Sequence, residues 1–100
     1  MSDDMDLTPR TRIARAEGWL TARVGDELIM MSGSTGRYIG LTETGSRIWE
    51  LLAEPLALAP LCDALEAEYD APRDVVEAEV VAFLRDLAAH GAVHLTPAAG

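Results

Sequence analysis

Six of the eight glycines, at positions 18, 25, 33, 36, 40 and 45, fall in the first half of this 100-residue chain. The second half is instead rich in Ala and Leu, with prolines set between its apolar stretches. Glycine at that density punctuates turns between short extended segments, whereas Pro is tolerated at helix ends. The chain therefore reads as strands first and helices afterwards, an α+β arrangement. A length of 100 residues builds one hydrophobic core. The expected organisation is a flexible N-terminus over residues 1–10, one domain over 11–95 and a C-terminal tail over 96–100. No internal repeat interrupts it.

In the strand half, Trp19 to Val24 is bounded by Gly18 and by Gly25-Asp26, a pair suited to a two-residue hairpin loop with glycine in its first central position. Glu27 to Met31 is then the partner strand. Its run Leu28-Ile29-Met30-Met31 suggests that both faces are at least partly covered. Ser32 to Gly36 is a turn cluster, and Arg37-Tyr38-Ile39-Gly40-Leu41 has the aromatic and β-branched content of a third strand. Short strands near Arg12 to Ala16 and Ala92 to Leu95 are further candidates. The expected product is a small antiparallel meander.

Helical spacing begins at Thr42, an N-cap residue, with Ile48, Leu51 and Leu52 on one stripe and Trp49 beside it. Gly45 lies in the first turn, where the missing side chain permits close helix-to-strand approach. A second helix starts with Pro60 in its first turn and turns Leu61 and Leu65 inward. The third and longest starts near Pro72, carries Val76, Val80, Phe83, Leu84 and Leu87 on one face, and stops at Gly91.

Charge narrows the function classes. There are 17 acidic residues against 8 arginines and no lysine, a formal net charge of -9. Residues 51–100 hold 9 acids and 2 arginines, so -7 of that charge lies there. Such a surface repels phosphate backbones. A strand meander followed by three helices invites a winged helix-turn-helix reading, with the third helix in a DNA groove, but that helix carries Asp74, Glu77, Glu79 and Asp86 against Arg73 and Arg85. A DNA-binding regulator stays as an alternative only. The acidic start Met1-Ser2-Asp3-Asp4 is unlike a secretory signal, and no apolar run is long enough to span a bilayer, so a cytoplasmic protein without membrane association is expected.

The sequence supplies no catalytic set, no cofactor motif and no metal site. Cys62 sits beside Leu61 in a helix and reads as a small buried hydrophobe. His90 and His94 are separated by the helix-ending Gly91, which breaks a metal-binding spacing. Glu66 and Glu68, like Glu77 and Glu79, point about 200° apart on a helix and cannot work as an acid and base pair. What remains is polypeptide binding. A three-stranded meander leaves two edges, and Tyr38 to Leu41 lacks the Lys or Pro that blunts one. An extended peptide could add there as a strand, the third helix could cover that edge, or a second copy could dimerise through it.

The segment Asp26 to Met31, followed by Thr35-Gly36-Arg37-Tyr38-Ile39-Gly40-Leu41-Thr42-Glu43-Thr44-Gly45 and Ile48-Trp49-Glu50-Leu51-Leu52, resembles the PqqD-like peptide chaperones, also called RiPP precursor recognition elements. Tyr69-Asp70, Val80 to Leu84 and Leu87 to Gly91 are similar to that family's final helix and its stop. The glycine-arginine-tyrosine turn resembles the stand-alone partners of lasso-peptide leader peptidases. The resemblance implies a winged-helix-like fold of a three-stranded antiparallel sheet followed by three helices. It implies a non-enzymatic protein, monomeric or weakly dimeric, that binds the leader of a ribosomally made precursor peptide and presents it to a separate maturation enzyme such as a leader peptidase. Carried onto this chain, the leader adds to Arg37, Tyr38, Ile39, Gly40 and Leu41 and rests against Val76, Glu79, Val80 and Phe83 of the third helix. Ile39→Pro would test strand addition if the Ile39 N–H faces the leader.

Overall fold

A computed structural model describes residues 7–97. The strands are β1 (Arg12–Arg15), β2 (Trp19–Val24), β3 (Glu27–Ser32), β4 (Tyr38–Gly40), β5 (Leu56–Ala57) and β6 (Val93–Thr96). The helices are α1 (Glu43–Leu51), α2 (Leu58–Glu68) and α3 (Arg73–Ala89). The expected meander is β2-β3-β4, antiparallel throughout, followed by the three helices. Gly25 closes its first hairpin at φ 65°, with Val24 opposite Glu27, so the loop is the two-residue turn with glycine first that Gly25-Asp26 favours.

A second sheet, of order β5-β1-β6, lies beyond the expected one. The two candidate terminal strands pair with each other, Ile13 opposite Leu95, and β5 adds on the far side through Ile13 and Leu56. Ile13 at its centre is fully buried. Arg15 holds this sheet to α1: its guanidinium lies 4.5 Å from the centre of the Trp49 ring and donates to the Trp49 carbonyl. Of the segment expected to be flexible, residues 1–6 lie outside the described ones. Leu7 packs against the core, and the Pro9 carbonyl accepts from the Ala59 N–H. Of the expected tail, Thr96 ends β6 and residues 98–100 lie outside the description.

The core joins Leu28 and Met30 of β3 to Ile48, Trp49 and Leu52, to Leu58, Leu61, Cys62 and Leu65 of α2, and to Val76, Val80, Leu84 and Leu87 of α3. The two faces of β3, both expected to be at least partly covered, are covered unequally. Leu28, Met30 and Ser32 are buried on the inner face, whereas on the outer face Ile29 is 37% exposed and Met31 is half-buried. Alternation wins over the apolar run. Phe83 likewise leaves the buried stripe of α3 and is half-buried.

Thr42 caps α1, its hydroxyl accepting from the Gly45 N–H at 3.1 Å. One turn on, the buried Ser46 hydroxyl accepts from the Leu28 N–H at 2.8 Å and ties α1 to β3. α2 begins at Leu58, two residues before Pro60, and Gly91 turns the chain out of α3 at φ 76°. Burial pushes the Cys62 thiol above its ordinary pKa, as expected of a core residue. Among the described residues no helix is long and apolar enough to cross a membrane, and no group of three His, Cys, Asp or Glu side chains is placed to hold a metal ion.

Candidate functional site

Within the meander β3 is central, so β2 and β4 are its edges. The hydrogen-bond phase of β4 decides what that edge offers. The Ser32 N–H donates to the Arg37 carbonyl and the Leu41 N–H to the Leu28 carbonyl, each at 2.8 Å, while Met30 stands opposite Ile39. In an antiparallel ladder hydrogen-bonded pairs alternate with unbonded ones, which makes Leu28:Leu41, Met30:Ile39 and Ser32:Arg37 the bonded pairs. Ile39 therefore spends its N–H and C=O on β3. Tyr38 and Gly40 turn theirs to the open side, and both residues are exposed. Ile39→Pro would break the sheet rather than test the edge, which corrects the condition attached to it above.

Side chains alternate the other way. Tyr38 is 72% exposed and on the outer face, with Met31 opposite it. Arg37 and Ile39 share the face that looks toward the helices, while Leu41 is buried in the core at 3% exposure. Arg37 itself is exposed and enters no ion pair among the described residues, whereas Arg23, Arg47 and Arg73 are held by Glu50, Glu68 and Asp63.

Two adjoining clefts run along α3 and share Thr44 and Glu79. The more apolar one, about 210 Å³, is lined by Leu65, Tyr69, Ala71, Val75, Val76 and Val80. The other lies between the β4–α1 corner (Thr42, Gly45, Ile48) and Ala82 and Phe83 of α3. Gly45 makes this second cleft. A β-carbon at that position would stand 2.9 Å from Cε1 of Phe83, so only glycine lets the ring lie against the first turn of α1. The close approach that Gly45 permits is thus to a ring on α3, not to a strand.

Of the residues singled out from sequence, Glu79 and Phe83 line the clefts with their side chains accessible. Val76 and Val80 form the floor of the apolar cleft and are themselves core, at 6% and 1% exposure. Arg37 to Gly40 make the edge. Sequence reasoning passed over Thr44, Leu65, Tyr69, Val75 and Ala82 as lining residues. Only Val75 carried a signal, an apolar side chain off the buried stripe of α3 and 45% exposed. The rest come together through the crossing of three helices.

The arrangement is an apolar groove beside an open strand edge, equipped to hold an extended chain by its backbone. Known proteins give this geometry a context. A family model described as coenzyme PQQ synthesis protein D (PqqD) matches residues 27–93, which include β3, β4 and all three helices. A solved structure described as TbiB1 in complex with the TbiA(beta) leader peptide is 36% identical, with a TM-score of 0.74 over 87% of this chain and 99% of that one. A second, lasso peptide synthetase B1 complexed with the leader peptide, has the same fold at 21% identity, with a TM-score of 0.73 over 82% of this chain and 96% of that one. No curated protein sequence matches.

Proposed function

This chain belongs to the PqqD family, and from that premise we propose that it binds the leader segment of a ribosomally made precursor peptide by strand addition to β4. The leader hydrogen-bonds to the outward N–H and C=O groups of Tyr38 and Gly40 and lays alternate side chains into the groove against α3. The observation that carries the reading is the pairing of an open, correctly phased β4 edge with a 36% identical relative seen in complex with a leader peptide. The backbone supplies affinity and the clefts beside Glu79 and Phe83 supply selectivity.

No chemistry on the peptide is assigned to the chain itself. Its role is to hold the precursor for a separate maturation enzyme, a leader peptidase in the lasso-peptide setting. Tethering raises the effective concentration of the cleavable segment to about the millimolar range. Isothermal titration of the purified protein with a synthetic leader of the precursor encoded beside its gene tests the reading. Saturable one-to-one binding with a Kd below about 10 μM is expected. Absence of saturation, or a stable dimer that leader does not alter, would overturn it.

A further inference from the structure

A third cleft, of about 430 Å³, opens where the β3–β4 turn meets the end of α3. It differs from the two apolar clefts in being lined by Arg37, Ser32, Ser34 and Thr35 on one wall and by Ala89, His90 and Gly91 on another, with Glu17 and Trp19 closing it. Its walls are fixed. The Trp19 indole N–H donates to the Gly91 carbonyl at 3.2 Å, and the Gly33 N–H to the Gly18 carbonyl at 2.8 Å. The His90 imidazole faces a carbonyl at 2.8 Å, that of Asp86, so its Nδ1 carries the proton and donates, and Nε2 is an acceptor in the neutral ring and a donor to an anion only in the imidazolium form. The Asp86 carboxylate is 3.9 Å from Nδ1.

Arg37 is the residue immediately before β4, and its side chain lies on the groove face of the sheet. Among the described residues every strand pairing is antiparallel. A peptide paired antiparallel to β4 passes Gly40 first and Tyr38 second, and its next residues arrive at this cleft. From Glu79 to His90, α3 advances about 16 Å, the length of about five extended residues. The same peptide thus meets Glu79 near one end of the groove and Arg37 near the other, neither of them in an ion pair among the described residues.

We infer that the Arg37–His90 cleft takes a carboxylate of the bound peptide, an Asp or Glu lying just C-terminal to the segment paired with β4, and so fixes the direction and register of binding. The inference rests on the leader-binding reading and deepens it. Arg37 offers the guanidinium donors, the Ser34 and Thr35 hydroxyls and His90 line the same space, and Glu17 on the far wall opposes the anion.

Anisotropy titrations with a fluorescein-labelled synthetic leader test it. Arg37→Gln is expected to raise Kd about fivefold, His90→Gln to raise it less, and Glu17→Gln to lower it about twofold. Replacing each leader Asp and Glu in turn by Asn or Gln should identify one position whose loss is no longer felt in Arg37→Gln, the signature of a direct pair. Arg12→Gln, an exposed arginine on β1, controls for net charge and should bind as the parent does. If the parent binds but the three cleft variants leave Kd unchanged, the carboxylate site is wrong and the strand-addition reading stands. If Arg12→Gln weakens binding as much as Arg37→Gln, or a leader without acids still feels Arg37→Gln fully, the inference also fails. A parent that binds no leader removes the reading on which it rests.

Discussion

Proline substitution at adjacent residues of β4 separates folding from peptide binding, because the phase of the ladder assigns the two N–H groups to different partners. Gly40 points its N–H to the open edge, has no β-carbon neighbour within 4 Å, and is not among the positive-φ glycines. A proline ring fits such a position on an edge strand. Gly40→Pro deletes one leader hydrogen bond, a net loss of about 1 kcal/mol, and its Cδ stands where the leader carbonyl would approach. Since 1.4 kcal/mol is a factor of ten, Kd should rise about tenfold or more while thermal stability moves little. Ile39→Pro instead removes the bond to Met30 inside the sheet and should cost about 3 kcal/mol of folding stability, a large share of what a domain this size possesses. Circular-dichroism melts and leader titrations on both variants are the assay. A folded Gly40→Pro protein with parental affinity would refute strand addition at β4, and an Ile39→Pro protein as stable as the parent would refute the assigned phase.

Gly45→Val drives a branched side chain into the Phe83 ring, whose Cε1 is 2.9 Å from the added β-carbon. The half-buried ring can swing outward, so stability should fall by about 1 kcal/mol or less while leader affinity drops as the cleft fills; comparing melts with titrations checks the split. Leu84→Ala in the fully buried stripe of α3 should cost about 2–5 kcal/mol, read from urea unfolding. Hydrogen bonds from Arg47 hold the Glu68 carboxyl below its ordinary value. A carboxylate depressed on folding stabilises the protein above its unfolded pKa near 4.5, and that contribution fades as pH falls through the lower folded value. Arg47→Gln should therefore flatten the acid limb of stability, modestly because both side chains are more than a third exposed, and melts between pH 3 and 6 would show no flattening if the pair is inert. The buried Cys62 thiol should resist alkylation in the folded protein and react fully in urea.

Local rules written into single residues carried the reading furthest. Gly25 fixed a hairpin and Gly91 a helix stop because the backbone there has positive φ, and Thr42 a helix start because its hydroxyl takes a free N–H of the first turn. Apolar periodicity likewise showed that Val76, Val80, Leu84 and Leu87 face inward. The residues Thr35 to Leu52 were distinctive enough to resemble the PqqD family, and the family model covers them. Partnership was beyond local rules. That β1, β5 and β6 form one sheet depends on segments more than 35 residues apart in sequence meeting in space.

The candidate site divides along the same line. Composition and pattern by themselves pointed to a strand edge without Lys or Pro and to an acidic third helix, and left open whether that helix covers the edge. Only the tertiary structure decided that Tyr38 and Gly40 hold the free donors, because hydrogen-bond phase is set by how β4 registers on β3. It also decided that Leu41 and Val80 are core while Thr44, Tyr69 and Val75 line the groove. A sequence period tells which residues share a face; which neighbour that face meets is settled when three helices cross, and the groove is what their crossing leaves open.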